Sequence, residues 1–189
     1  MIVIPQHIPE VLLIKPKVIS DNRGSFMEAF HETRYHDAGL TDRFIQDNVS
    51  ISVLGTIRGL HLQHPNDQGK LVSVLDGEVF DVAVDVRVNS PTFGKWVGVT
   101  LSSTNNFQLY IPPGFAHGFC VTSDKAIFSY KCTAFHDKES EIGILYNDPD
   151  IGIAWPKMVS NVISEKDKTS SRLSQIEMNK LPKYNTICE

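Results

Sequence analysis

Short apolar runs, separated at close intervals by glycine and proline, constrain the fold of this chain more than any other feature. Strand-like runs cover residues 44–53, 71–75, 79–86, 96–102, 107–111, 119–122 and 126–133. Turn residues such as Gly55, Gly94 and the Pro112-Pro113-Gly114 segment lie between them. Many short strands with regular turn signals are typical of a β-sandwich or β-barrel and not of alternating βαβ units. The sequence therefore predicts an all-β fold.

Two local patterns refine this prediction. The dipeptide Asp76-Gly77 lies between residues 71–75 and 79–86. Because Asp-Gly favours a tight turn with positive φ, we expect these two runs to pair as a β-hairpin. Helical patterns are confined to residues 32–38 and to about 165–178, which predicts a short helical C-terminal tail.

Bulk properties limit the class of protein. The length of 189 residues and the hydrophobic content of 41% fit a single domain over residues 1–189. A net charge of −4, without a basic run, argues against a nucleic-acid partner. We expect no secretion signal and no membrane span, because no leader-like or long apolar segment is present. Cys120, Cys132 and Cys188 are odd in number and widely separated, which favours a reduced, cytoplasmic protein.

Two segments each place a histidine beside a turn. The first, residues 58–63, reads RGLHLQ, and the second, residues 112–118, reads PPGFAHG. This pair resembles the two signature motifs of the cupin superfamily, whose members fold as a double-stranded β-helix, or jelly roll. The resemblance makes His61 and His117 the first candidates for a functional site.

A metal centre is not expected at these histidines. Metal-binding cupins have His-x-His, then a Glu, whereas Gln63 stands two residues after His61 and no Glu follows before Glu78. Glutamine is a poor ligand for transition metals, and His61 and His117 alone fall short of three protein ligands. We therefore expect a site without metal or cofactor in which His61 is a general base. A lone buried histidine can also be a hydrogen-bonded core residue, and this remains the alternative interpretation.

A longer series of motifs runs in order from about residue 21 to residue 167. They read DNRG (21–24), FIQDNVS (44–50), RGLHLQ (58–63), GKLV (69–72), GEVFDVAVD (77–85), SPTFG (90–94), IPPGFAHGF (111–119), YK (130–131), NDP (147–149) and IGIAWP (151–156). The ordered set resembles the dTDP-4-dehydrorhamnose 3,5-epimerases. The resemblance implies an isomerase that converts dTDP-4-dehydro-6-deoxy-D-glucose into dTDP-4-dehydro-L-rhamnose by epimerisation at C3 and C5.

The resemblance also implies roles for four residues. His61 matches the family's base, and Asp167 matches the carboxylate that orients this histidine and raises its basicity. Tyr130 matches the acid, since an unperturbed tyrosine is protonated at neutral pH. Lys70 matches a lysine near the keto oxygen of the sugar, where its charge stabilises an enolate.

Further positions match the family's substrate-binding residues. They are Arg23, Glu28, Gln46, Asp47, Asn48, Arg58, His117, Phe135, Glu141 and Lys166. The two arginines suit phosphate oxygens, and Phe135, which stands where relatives commonly have tyrosine, can stack on thymine. The resemblance further implies a homodimer in which the segment with Arg23 and Glu28 completes the site of the partner.

Three other functions are compatible with parts of this pattern. Relatives that epimerise only C3 or only C5 of a nucleotide-linked 4-keto-6-deoxy sugar use much the same groups. A metal-dependent cupin, either an isomerase or a dioxygenase, would need ligands in place of Gln63. A sugar-nucleotide sensor on the same jelly roll would have no need for Tyr130 opposite His61, so this pair favours the enzyme.

Overall fold

A computed structural model describes residues 1–157 and 161–184. Its strands, β1 to β14 in chain order, are Ile2–Pro5, Leu12–Lys15, Val18–Asp21, Gly24–Met27, Gln46–Val53, Thr56–Gln63, Lys70–Asp76, Glu78–Asp85, Trp96–Ser102, Gln108–Ile111, Phe115–Val121, Lys125–Cys132, Glu141–Gly143 and Val162–Ile163. Its helices are α1, Glu32–Asp37, and α2, Glu165–Lys168, followed by 3₁₀ turns at Leu173–Gln175 and Met178–Lys180. None of the described helices has the length and apolar character that crossing a bilayer requires.

Most strands form two sheets that pack face to face. The first sheet has the order β1-β2-β10-β7-β12-β5, and the second has the order β13-β6-β11-β8-β9, with β14 added parallel to β6. The other neighbouring strands in both sheets are antiparallel. From β5 to β8, and again from β9 to β13, successive strands thus alternate between the two sheets, as in a jelly roll. This architecture confirms the predicted all-β, cupin-type fold.

The core follows from the alternation of side chains along these strands. Val72 and Phe128 of the first sheet meet Val79 and Phe119 of the second in the central cluster. The opposite faces are covered separately. Val82 and its neighbours on the second sheet pack under the C-terminal segment, and a third cluster lies between the first sheet and α1.

One local prediction needs correction. The runs on either side of Gly77 do not form a hairpin, because β7 pairs with β10 and β12 whereas β8 pairs with β9 and β11. Gly77 does have the positive φ of +82°, so the turn exists but carries the chain from one sheet to the other. The predicted short helical C-terminal tail is confirmed, as α2 followed by two 3₁₀ turns.

Two parts of the surface are unusually apolar. On β5, which is the edge of the first sheet, Val49, Ile51 and Val53 are 62%, 65% and 58% exposed. The hairpin β3–β4 pairs with neither large sheet, and its Phe26 is 70% exposed. Within the part of the chain that the structure describes, no large sheet covers this hairpin, and an isolated two-stranded hairpin is marginally stable in water at best.

Candidate active site

A cavity of about 820 Å³ opens between the two sheets. Its walls include most of the predicted site residues: Gln46, Asn48, Arg58, His61, Lys70, His117, Tyr130, Glu141, Lys166 and Asp167. These residues come from strands of both sheets and from the C-terminal segment that contains α2. The fold therefore assembles residues that are more than 100 positions apart in sequence around one space.

His61 and Asp167 form a hydrogen-bonded pair at the cavity wall. Nε2 of His61 lies 2.8 Å from Oδ1 of Asp167, which is buried. Because a carboxylate only accepts, Nε2 carries the proton in the neutral ring and Nδ1 is left as a free base. Burial lowers the pKa of His61, while the hydrogen bond and charge of Asp167 act in the opposite direction.

Local structure explains how Asp167 reaches the histidine. It lies in the first turn of α2, where the side chain of the N-cap residue Ser164 accepts a hydrogen bond from the Asp167 N–H. Its second oxygen, Oδ2, accepts a hydrogen bond from the N–H of Gly59 at 3.3 Å. Short parallel pairing of β14 with β6 brings this segment alongside the strand that contains His61.

Gly59 is required by the close approach of β6 to β11. Its φ is +114°, and a Cβ atom there would lie 2.6 Å from the carbonyl oxygen of His117 and 2.7 Å from Cα of Gly118. The pairing of β6 with β11 shifts register at this point. The shift turns both His61 and Arg58 toward the cavity, although they are three residues apart on one strand.

His117 belongs to a second histidine–carboxylate pair. Its Nε2 lies 2.8 Å from Oδ2 of Asp81, which is fully buried, and its ring stacks on Phe128. Asp81 was not among the site residues predicted from the sequence. The sequence pattern does indicate it, because Asp81 lies on the same face of β8 as the apolar residues Val79 and Ala83. A carboxylate buried on such a face needs a partner.

Lys70 and Tyr130 lie on the wall opposite His61. They are on β7 and β12 of the first sheet, whereas His61 is on β6 of the second, and packed sheets lie about 10 Å apart. Burial raises the pKa of Tyr130, so its hydroxyl stays protonated at neutral pH. Burial lowers the pKa of Lys70, and the neighbouring Cys132, Asp81 and Glu141 oppose that effect.

The segment Gln46-Asp47-Asn48 divides between two faces of β5. Gln46 and Asn48 line the cavity, and the Gln46 amide donates to Oδ1 of Asn48 at 3.1 Å. Asp47 points to the outer face and forms an ion pair with Lys131 at 2.9 Å. Because side chains alternate along a strand, Asp47 does not line the cavity of its own chain, and its role in substrate binding stays a prediction.

Two predicted binding residues line the cavity beside the His61–Asp167 pair. Glu141 on β13 and Lys166 on α2 form an ion pair at 2.7 Å, and both line the cavity. Burial raises the pKa of Glu141, but the hydrogen bond from Lys166 and the charge of His61 keep it below its ordinary value. Arg58 lies further along β6, where its Nε donates to Oγ of Ser52 at 3.1 Å.

Besides Asp47, three predicted binding residues lie outside the cavity of their own chain. Arg23 pairs with Asp21 at the tip of the exposed β3–β4 hairpin, and Glu28 pairs with Arg34. Phe135 is 69% exposed and absent from the cavity wall. The next residue, His136, lines the cavity instead.

The described residues contain no group of three His, Cys, Asp or Glu side chains arranged to hold a metal ion. At the position where metal-binding cupins place a ligand, the amide of Gln63 is engaged by protein backbone. Its Nε2 donates to the carbonyl oxygens of Asn66 and Phe135, and its Oε1 accepts from the N–H of Asp137.

Comparison with known proteins decides the family. The family model described as dTDP-4-dehydrorhamnose 3,5-epimerase matches residues 5–175. The chain belongs to this family. It is 54% identical over 169 residues to the dTDP-4-dehydrorhamnose 3,5-epimerase of Shigella flexneri, covering 88% of this chain and 93% of that protein.

Two further members of the 3,5-epimerase family extend the likeness. Identity to the enzyme from Neisseria gonorrhoeae is 50% over 182 residues and 96% of this chain, but the chain spans only 55% of that relative's length. The crystal structure of dTDP-6-deoxy-D-glucose-3,5-epimerase from Legionella pneumophila, in complex with dTDP-4-keto-L-rhamnose, is 51% identical. It superposes with a TM-score of 0.95, covering 97% of this chain and 98% of that one. The resemblance found in the sequence motifs is therefore confirmed.

Proposed function

We propose that this chain is a dTDP-4-dehydrorhamnose 3,5-epimerase that inverts C3 and C5 of dTDP-4-dehydro-6-deoxy-D-glucose. The observation that carries the proposal is the His61–Asp167 pair, which faces Lys70 and Tyr130 across the cavity. Family membership and the complex of the Legionella relative with dTDP-4-keto-L-rhamnose support the choice of substrate.

The chemistry of the substrate requires these four groups. Both C3 and C5 lie next to the C4 ketone, so each carries a proton that a base can remove to give an enolate. Nδ1 of His61 takes this proton, because Asp167 holds the other ring nitrogen. The ammonium of Lys70 stabilises the negative charge that develops on O4.

Inversion is completed from the other side of the sugar. A ring held between the sheets exposes one face to His61 on β6 and the other to Tyr130 on β12. The phenol donates a proton to the carbon on the face opposite to the one deprotonated, and the configuration is thereby inverted. Because burial raises the pKa of Tyr130, the phenol is protonated and ready to donate.

Proton NMR of dTDP-4-keto-6-deoxyglucose with the enzyme in deuterated water tests the proposal. We expect deuterium to enter at both C3 and C5 and the L-rhamno product to form. Exchange at C3 alone or C5 alone would assign the chain to the single-site epimerases. His61→Asn should abolish both exchanges while nucleotide binding persists, and exchange at the wild-type rate would refute the base assignment.

We also propose that the functional unit is a homodimer that shares its sites. The apolar face of β5 and the uncovered hairpin β3–β4 are both surfaces that a second copy would bury. Arg23 and Glu28, which lie outside the cavity of their own chain, would then reach the cavity of the partner. This arrangement gives the hairpin the covering surface that it lacks within one chain.

Hybrid dimers test this arrangement. Arg23→Ala and His61→Asn, each impaired alone, are produced together and the mixed dimers assayed. Random assembly makes about half of the dimers hybrids. If Arg23 serves the partner's site, each hybrid has one intact site of its two, so about a quarter of wild-type activity returns. Activity no higher than that of the separate variants would refute sharing, and a monomeric mass by light scattering would refute the dimer itself.

A cytoplasmic location is part of the same proposal. Cys120 and Cys132, the cysteines within the described residues, are free and buried, which suits a reducing compartment. Cys188 lies outside the described residues. Protease protection in spheroplasts, which shields cytoplasmic proteins, measures the location directly.

A further inference from the structure

The loop between β12 and β13 is held by the side chains of three glutamines. This loop, residues 133–140, crosses from the first sheet to the second beside the cavity. Gln68 donates to the carbonyl of residue 134 at 2.7 Å, and Gln46 accepts from the N–H of residue 136 at 2.9 Å. Gln63 donates to the carbonyl of residue 135 at 3.2 Å and accepts from the N–H of residue 137 at 2.9 Å. Four consecutive backbone units are thus fixed by amides of the cavity wall.

We call the three side chains of Gln46, Gln63 and Gln68 the clamp. Gln63 is its central member. It is 5% exposed, and its Nε2 also donates to the carbonyl of Asn66 at 3.1 Å, which ties the β6–β7 loop to the same point. A buried amide with three partners is well satisfied, and losing it would leave backbone groups of both loops unpaired. On β6, Gln63 stands two residues from His61 and opposite Glu141.

The clamp determines which aromatic residue enters the cavity. Gln63 holds the backbone on both sides of His136, and Gln46 holds His136 itself. The imidazole of His136 lines the cavity and lies close enough to Glu141 to lower its pKa, whereas Phe135 points to solvent. His136 is exposed, so it lies toward the rim and away from the buried Lys70.

We propose that Gln63 is a positioning residue for substrate binding, which fixes the 133–140 loop so that His136 contacts the nucleoside diphosphate. This inference rests on the proposed function. The reacting sugar occupies the space between His61 and Tyr130, so the remaining nucleoside diphosphate extends toward the rim. An imidazole at the rim can donate to phosphate or stack on the base. Gln63 takes no part in proton transfer.

The variant Gln63→Met keeps the length of the side chain and removes all three hydrogen bonds. We expect KM to rise about tenfold, equivalent to one or two lost hydrogen bonds of binding energy, with kcat nearly unchanged. Calorimetric titration with dTDP should show the same loss of affinity. A fall in kcat at constant KM, or unchanged KM and dTDP affinity, would overturn the proposal.

A matched control separates positioning from general loss of stability. Asn105 likewise uses its amide for three hydrogen bonds to backbone, at Ser102, Phe107 and Thr100, but in the β9–β10 turn away from the cavity. Asn105→Leu should lower the melting temperature without changing KM. An equal rise in KM would show that the effect of Gln63→Met is only destabilisation.

The path through His136 is tested by a double-mutant cycle. His136→Ala should raise KM, and adding Gln63→Met should raise it little further, because both changes remove the same contact. Fully additive effects would refute this path. If Gln63→Met fails to fold, Gln68→Met, which removes one bond of the clamp, should give a smaller rise, and no rise would count against the clamp. Because dTDP binding is measured without turnover, a wild type that binds dTDP but exchanges no protons would refute only the proposed function.

Discussion

Replacing Asp167 by asparagine probes the base more directly than any other change. The carboxylate lies 2.8 Å from Nε2 of His61 and accepts a second bond from Gly59, so it fixes both the orientation and the tautomer of the ring. Asparagine preserves the shape but can offer its Nδ2 donor to Nε2. The favoured neutral tautomer then carries its proton on Nδ1, the nitrogen that should accept from substrate.

The expected fall in rate follows from losing both the orientation and the tautomer of the His61 ring. A positioned general base contributes about 10²–10⁴ to the rate, and Asp167→Asn should forfeit most of it. We expect kcat to fall about 10³-fold, or ~4 kcal/mol in activation free energy. Ser164→Ala is the graded comparison, because it removes the N-cap but keeps the carboxylate, and it should lower kcat less than tenfold.

The pH profile of kcat/KM gives an independent readout. His61 must be unprotonated to act, so activity falls as the pH drops through its pKa. Burial already lowers this pKa, so the wild-type acid limb should lie below the ordinary histidine value of about 6.5. Asp167 opposes the effect of burial, so Asp167→Asn should move the limb to still lower pH while the plateau falls. If the acid limb of Asp167→Asn moves to higher pH, or if its plateau of kcat/KM equals that of the wild type, the assigned role of Asp167 is refuted.

Three further changes test other parts of the structure. Tyr130→Phe should slow product formation, measured by NMR, by more than tenfold while deuterium exchange continues; equal losses would mean that Tyr130 only positions substrate. Lys70→Met should lower kcat about 10²–10³-fold in a coupled assay, since the enolate loses its cation, and a loss confined to KM would contradict this. Gly59→Ala should cost about 3 kcal/mol or more in urea unfolding, because its Cβ would overlap the His117 carbonyl, whereas Gly94→Ala, with positive φ but open space, should cost about 1–2 kcal/mol. Similar costs for the two glycine variants would count against the close approach of β6 and β11.

The sequence predicts the fold class well because the information is local and repeated. Apolar alternation and turn residues recur along the chain, and most predicted strands agree with β5 and β7 to β12 within a few residues. The β7–β8 hairpin is wrong for a specific reason. An Asp-Gly turn specifies that the backbone changes direction, but strand pairing depends on partners such as β10 and β12, which are far away in sequence.

The same difference between local and long-range information applies to the candidate site. Motif residues on the central strands, such as Lys70 and His117, are brought together as the resemblance implies. Asp47 falls outside the cavity because a contiguous motif cannot direct neighbouring side chains to one face of a strand, whereas Phe135 lies in the loop between β12 and β13. Arg23 and Glu28 lie on a hairpin that one chain leaves uncovered, so their place depends on a surface that a single sequence does not describe.

The two histidine pairs show what only the structure distinguishes. His61 and His117 are cross-strand partners on β6 and β11, and each is bonded to its own carboxylate at 2.8 Å. The side chain of His61 is 33% exposed, whereas that of His117 is 9% exposed and stacked on Phe128. A base must present its free nitrogen to a substrate carbon, so the more accessible ring, His61, is suited to the role.

The buried pair then has a different effect. Among the described residues, Oδ1 of Asp81 is buried without a hydrogen-bond partner, while Oδ2 is bonded to Nε2 of His117. The charge of this carboxylate acts on Lys70, where burial lowers the pKa and Asp81 works against that lowering. A lysine that loses its proton could not stabilise an enolate. Under the mechanism proposed above, the carboxylate behind His117 would support catalysis from the second sheet, because it opposes the loss of the proton from Lys70 on the first.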